Sequence, residues 1–173
     1  RAGARRLLAL VDEILDYARV SAGALVTEII ELAEVLAAAR QELAARIAES
    51  DAVITADPLP AVNGDRWQLE RLFVHLLDNA LRYRAPEAPE IRVTVARQRD
   101  DWVITVRDNG RGISPAELPR LFTPLQDGPD GRPRLGLSVC HRVVERHGGT
   151  IWAESPDGRG TAVSFTLPAL DTT

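Results

Sequence analysis

Apolar residues near the start of the chain recur at alternating spacings of four and three, through Leu7, Val11, Ile14 and Ala18. That spacing predicts a helix over residues 1–20 with a seam that packs on other helices, and the seam calls for a partner. The small residues Ser21 to Ala24 break the pattern and read as a hinge, so a globular domain is expected from Leu25 onward. A short extended segment, Leu25 to Glu28, should lead into a second helix with Ile29, Leu32, Leu36, Leu43 and Ile47 on its apolar face. Val53 to Ala56 reads as a short strand, followed by the proline-rich loop Asp57 to Pro60. Asp65, with Gln68 three residues later, caps a long helix carrying Leu69, Leu72, Phe73, Leu76, Leu77 and Leu81 and ending before Pro86.

From Ile91 the period changes to two, with Ile91, Val93 and Val95 and then Trp102, Ile104 and Val106, which predicts a hairpin joined through Gln98 to Asp101. Ser114, Pro115 and Glu117 have the form of a capping box opening a short helix to about Leu121. Gln126 to Arg134 is expected to be irregular, because it holds two glycines and two prolines. A helix from Leu137 to His147 should stop at Gly148-Gly149, and Ile151 to Glu154 with Ala162 to Leu167 should close a second hairpin. The sum is an α/β fold, a two-layer sandwich in which one mixed sheet is covered on one face by three helices. The expected organisation is an appended helix and hinge over 1–24, one domain over 25–168 and a tail over 169–173.

A chain of 173 residues supports one hydrophobic core with an added element rather than two full domains. No stretch approaches the roughly 20 apolar residues of a membrane helix. The single cysteine, Cys140, excludes an internal disulfide and suits a reducing compartment, so cytoplasmic residence is expected, without membrane contact. Methionine is absent even at position 1, which suggests a chain that begins inside a longer gene product. All 21 basic residues are arginine, and a net charge of −4 leaves no nucleic-acid footprint.

On the long helix His75, Asn79 and Arg82 fall at i, i+4 and i+7, hence on one face. Taken alone, such a polar stripe is equally the solvated side of an amphipathic helix. Beyond the hairpin, Asp108-Asn109-Gly110-Arg111-Gly112 sets a carboxylate before two glycines, where backbone can approach a ligand while the carboxylate accepts a hydrogen bond; alone it could be a turn.

In order and at these separations the segments resemble the ATPase domain shared by sensor histidine kinases, gyrase, heat-shock chaperones and mismatch-repair proteins, over about residues 25–168. The resemblance is carried by His75 to Tyr83, Asp108 to Ile113, Leu121 to Pro124, Leu135 to Ser138, Val144 to Gly149 and Gly158 to Thr161. It implies a site for ATP and Mg²⁺ made by Asn79, Arg82, Tyr83, Asp108, Gly110, Gly112, Ile113, Phe122, Arg134, Leu135, Gly136, Leu137 and Thr161. Asn79 would hold Mg²⁺ through its side-chain oxygen, Asp108 would accept from the adenine amino group with Thr161 assisting, and Arg82 would offset phosphate charge. Gly136 lies just ahead of the helix from Leu137, whose free N–H groups suit phosphate oxygens.

Hydrolysing members carry a glutamate four residues before the metal asparagine, and here that residue is His75, which disfavours a gyrase-type ATPase. His75 is a candidate for orienting or accepting a proton, or for a merely structural or ligand-lining role. Neither His141 nor His147 lies in a phosphoacceptor-like sequence, so the acceptor histidine is expected on a helix outside this chain. The implied partners are that dimerisation and phosphoacceptor helix pair, a second copy of the parent protein and a response regulator. The segment Tyr83 to Pro86 and the strand of Trp102 look most like the phytochrome-type subgroup. The lid departs from its relatives: Arg132 and Arg134 replace two glycines, and Leu125 replaces a phenylalanine. Non-glycine residues there resist wrapping a phosphate, which opens the alternative of a pseudokinase or phosphatase-biased relay domain that binds nucleotide weakly.

Overall fold

The computed structural model describes residues 2–124, 126–127, 133–156 and 159–171, with the backbone alone at 2, 5, 6, 126, 127, 133 and 134. Helix α1 (Ala2–Ala22) runs through Ser21 and Ala22, and the break falls at Gly23, whose N–H bonds back to the Arg19 carbonyl. The Leu7-Val11-Ile14 seam faces outward, with these residues 41–63% exposed. The opposite face, with Glu13, Tyr17 and Val20, packs on the domain.

Strand β1 (Glu28–Glu31) pairs antiparallel with β3 (Ala61–Gly64), and helix α2 begins only at Leu32 (Leu32–Glu42). Ile29 is therefore not on a helix face but on a strand and 70% exposed, while Ile30 beside it is fully buried. Two successive β-branched residues fit an extended segment with one side in and one side out. The second helix is also divided: Leu43 leaves helical geometry, and α3 (Ala44–Ser50) follows before strand β2 (Val53–Ala56). Helix α4 (Arg66–Arg82) starts as expected, with the Asp65 carboxylate accepting the Gln68 N–H at 3.1 Å.

Strands β4 (Glu90–Gln98) and β5 (Asp101–Asp108) form the first hairpin. Ser114 makes no side-chain cap; its carbonyl accepts the N–H groups of Glu117 and Leu118, and only a 3-10 turn, Leu118–Arg120, follows. Pro119 inside that turn lacks the N–H that a continuing α-helix would use. The stretch expected to be irregular contains two paired pieces, β6 (Gln126–Asp127) and β7 (Pro133–Arg134), while residues 128–132 lie outside the described chain. Helix α5 (Gly136–Arg146) ends at Gly148, whose φ of +77° suits glycine, and β8 (Ile151–Glu154) pairs with β9 (Thr161–Pro168).

The main sheet has the order β2-β4-β5-β9-β8, with β2 and β4 parallel and the other pairs antiparallel. Ile91, Val93, Ile104, Val106, Phe165 and Leu167 bury one face of it under α4 and α5, where Phe73 meets Phe165 edge-on at 5.9 Å. Cys140 lies in this core, fully buried, and burial pushes its thiol up. This layering brings the β5–Ser114 loop, the C-terminal half of α4 and the N-terminus of α5 to one rim of the sheet.

Candidate functional site

At the loop end of this rim the chain bonds closely to itself. Asp108 Oδ1 accepts the N–H groups of Gly110 at 2.8 Å and Thr161 at 3.2 Å. Both bonds fall on the same carboxylate oxygen. Burial raises the Asp108 carboxyl above the usual range, and the Gly110 and Thr161 N–H groups partly offset this. The Gly160 N–H donates to the Gly110 carbonyl, and the Arg111 N–H to the Tyr83 carbonyl. Ser155 Oγ accepts from the Ile113 N–H at 2.9 Å and donates to the Gly160 carbonyl at 2.6 Å, clasping the two strands of the loop. A Cβ on Gly110 would stand 2.5 Å from the Tyr83 carbonyl oxygen, and one on Gly160, which also has φ +63°, 2.4 Å from the Asp108 carbonyl. Asn109 faces away, bonding the Glu90 N–H and the Ala88 carbonyl.

The helix end joins three elements. Glu13, His75, Asp78, Asn79, Arg82, Tyr83, Gly136 and Leu137 line one narrow pocket. The expected stripe of α4 is thus brought together with the N-terminus of α5. His75 is 7% exposed, not solvated, and its Nε2 lies 3.0 Å from Asp16 Oδ2. The Arg82 guanidinium reaches Asp78 at 3.2 Å and Glu13 at 3.9 Å, and Asp78 also pairs with Arg46. Phe122 is half-buried against the core and its ring lies 6.2 Å from that of the exposed His141. Ile113, Leu135 and Leu137 are buried beneath the rim, and Thr161 is 6% exposed. Gly112 has φ +80°. The side chains of Arg134, Leu125 and Arg132 lie outside the described residues, as does Gly158.

Residues that the sequence reading passed over are Glu13, Asp16 and Ser155. The first two were legible as a second stripe of α1, because Glu13, Asp16, Tyr17 and Val20 sit at i, i+3, i+4 and i+7, opposite the apolar seam. Ser155 carried no motif; only the folded hairpin brings it beneath the loop.

Among the described residues no group of three His, Cys, Asp or Glu side chains could hold a metal. A lone amide such as Asn79 does suit Mg²⁺, which takes one or two protein oxygens and completes its shell with phosphates and water. No described helix is long and apolar enough to cross a membrane.

Residues 64–171 match the family described as histidine kinase-, DNA gyrase B- and HSP90-like ATPase. The chain is 39% identical over 171 residues to cyanobacterial phytochrome A of Nostoc sp. (strain PCC 7120), covering 96% of this chain and 22% of that protein. It is 34% identical over 174 residues to the adaptive-response sensory kinase SasA of Synechococcus sp. (strain JA-3-3Ab), covering 95% of this chain and 46% of that one. The chain thus spans about a fifth of the one relative's length and under half of the other's. In fold it is similar to full-length ShkA in complex with AMPPNP, with a TM-score of 0.81, 24% identity and coverage of 100% of this chain and 38% of that chain. It is likewise similar to the histidine kinase ThkA in complex with the response regulator TrrA, with a TM-score of 0.77, 24% identity and coverage of 98% and 49%.

Proposed function

The chain belongs to the histidine kinase-, DNA gyrase B- and HSP90-like ATPases, and from that membership we propose that it is the ATP-binding catalytic part of a two-component sensor histidine kinase. The imidazole nitrogen of a histidine on a helix outside this chain attacks the γ-phosphorus of ATP. The new N–P bond forms as the bond to the β-phosphate oxygen breaks, ADP leaves, and the imidazole proton passes to a nearby base. The phosphoryl group then moves to an aspartate of a response regulator. Little covalent work falls to this chain, so its contribution is positioning and charge neutralisation.

The observation that carries the reading is the Asp108 carboxylate, with one oxygen tied by Gly110 and Thr161. The other oxygen accepts a hydrogen bond from the adenine amino group, a contact that guanine, with a carbonyl at that place, cannot make. Gly110, Gly112 and Ile113 with Thr161 form the wall around the base, and Tyr83 and Phe122 flank the path toward the phosphates. Arg82 and the N-terminus of α5 from Leu135 to Leu137, with Arg134 before it, meet the phosphates. Asn79 holds Mg²⁺, which neutralises phosphate charge when bound. His75 lines the γ-phosphate side. Residues 1–24 belong to a dimerisation helix and hinge, 25–168 to the catalytic domain and 169–173 to a tail. The outward Leu7, Val11 and Ile14 seam supports a helical partner from the parent homodimer, a phytochrome-type parent fits the relatives, and the single buried Cys140 supports cytoplasmic residence.

Calorimetry with Mg²⁺-ATP, ADP and GTP tests the binding claim: adenine nucleotides should give heat and GTP should not. An absence of heat with every adenine nucleotide at millimolar concentration would refute it. Labelled ATP should leave no acid-labile phosphohistidine on this chain alone, and should label it once the acceptor helix is restored.

A further inference from the structure

Helix α1 lies across the helix end of the site, and what it brings there is negative. Glu13 is 8% exposed and lines the pocket at the start of α5 beside Gly136 and Leu137. Its Oε1 stands 3.9 Å from Arg82, and a Cβ on Gly136 would come within 3.6 Å of it. Asp16, one turn further, sets Oδ2 3.0 Å from His75 Nε2 and 3.8 Å from Arg71. An eleven-residue helix N-terminus with a guanidinium and an imidazole beside it is a site for an anion. Here the anions are the chain's own carboxylates. The pocket that Glu13 lines with His75, Asn79, Arg82 and Gly136 holds about 10 Å³, room for roughly one water and not for a phosphate.

Burial is the largest influence on Glu13 and raises its carboxyl, with Arg82 and His75 offsetting only part. Among the described residues α1 is further anchored by Arg19, which lies over the Trp67 ring at 3.8 Å, and by Arg146, which bonds the Val20 carbonyl. At the loop end, by contrast, Asp108, Gly110, Gly160 and Thr161 bond to one another.

We infer that the helix end of the site is a docking surface for α1, whose Glu13 and Asp16 carboxylates take the place of the nucleotide's phosphates, so that ATP binding and α1 docking exclude each other. This rests on the nucleotide reading above. Adenosine, which needs only the loop end, binds without displacing α1, whereas ATP must release it. Nucleotide charge thereby becomes a signal that frees the helix, and a signal that pulls on the helix raises ATP affinity by the same factor.

The experiment uses the whole chain with Trp102→Phe and Trp152→Phe, leaving Trp67 as the reporter of Arg19 contact, and compares it with two variants in that background. Glu13→Ala with Asp16→Ala removes the internal anions. Val20→Asp instead pries α1 from α5 at a residue that is fully buried and away from the pocket. Both variants should bind Mg²⁺-ATP at least about fivefold more tightly, the low end of ordinary coupling between sites, with adenosine affinity unchanged. In the parent background ATP, but not adenosine, should change Trp67 emission. ATP affinity that is the same in all three proteins, with adenosine also bound, would overturn the competition while leaving the nucleotide reading intact. Failure of every protein to bind either compound would overturn both.

Discussion

The two ends of the site are built on different principles. At the loop end, Asp108, Gly110, Ser155, Gly160 and Thr161 are held by one another through hydrogen bonds that each use a backbone group, and Gly110 and Gly160 sit where a Cβ would strike a carbonyl oxygen. At the helix end, His75, Arg82, Glu13 and Asp16 come from helices far apart in sequence and meet through flexible side chains. The loop end is therefore preorganised whether or not a ligand is present. The helix end is shaped by where α1 stands, so the proposed site would keep base recognition fixed while access to the phosphates varies.

The sharpest way to break this contrast is at Gly110. Gly110→Ala places a methyl 2.5 Å from the Tyr83 carbonyl oxygen and 2.9 Å from Asp108 Oδ1, and the nearer of the two is backbone, which leaves little room to yield. A stability loss of about 1–3 kcal/mol is expected, together with loss of adenine-nucleotide binding, measured by urea denaturation and calorimetry. Wild-type values for both would mean that the loop end is not rigid.

Asp108→Asn tests recognition without disturbing shape. An amide N–H₂ would face the adenine amino group, donor against donor, after loss of a charge-assisted bond worth about 1.5–3 kcal/mol. Affinity for ATP should fall roughly 10- to 100-fold, and the preference over GTP should collapse. Because burial raises the Asp108 carboxyl, the ionised acceptor is lost as pH falls at values above the ordinary aspartate range. ATP binding should weaken there in the wild type, and a flat profile down to that range would remove Asp108 from the base contact.

A smaller effect comes from His147, which ties the far ends of the two helices that frame the helix end. Its Nδ1–H donates to the Val143 carbonyl at 2.7 Å and its Nε2 accepts the Asp65 N–H at 3.0 Å, an arrangement open only to the neutral ring. Burial lowers its pKa, so the unfolded chain takes up the proton first. Stability is full above the ordinary histidine range and declines as pH falls through it, by up to about 1.4 kcal/mol per unit until the folded-state value is passed. Urea midpoints against pH should show this slope in the wild type and lose it in His147→Gln; equal slopes would assign the effect elsewhere.

How far the sequence could be read follows the same division. The α4 and α5 periods, the β4–β5 alternation and the Asp108 to Gly112 loop are local patterns with strong signals, and each lies in the fold where its pattern put it. Strand β3 escaped because only Val62 among its first three residues is buried, and a single apolar position has no period. Ile29 was misread because one isoleucine of a pair at a sheet edge fits a helical template as well as a strand. The acidic face of α1 was written in the chain, but the apolar seam on the other side dominated the pattern. What makes Glu13 and Asp16 matter is their approach to residues more than fifty positions away.

The smallest effect tests the contrast most directly, by placing the same methyl at the other end. Gly136 opens α5, and a Cβ there would lie 3.2 Å from His75 Nδ1 and 3.6 Å from Glu13 Oε1. Both neighbours are ends of side chains that can shift, and neither is backbone. Exchanging a helical glycine for alanine gains up to about 1 kcal/mol, and displacement of the His75 ring offsets some of it. Gly136→Ala should therefore leave the urea midpoint within roughly 0.5 kcal/mol of wild type, in the range of ordinary surface changes. The methyl nevertheless stands beside the first N–H groups of α5, so ATP should bind a few-fold more weakly while adenosine is unaffected. A stability loss equal to that of Gly110→Ala would show that the helix end is packed as tightly as the loop end, and would leave α1 no room to come and go.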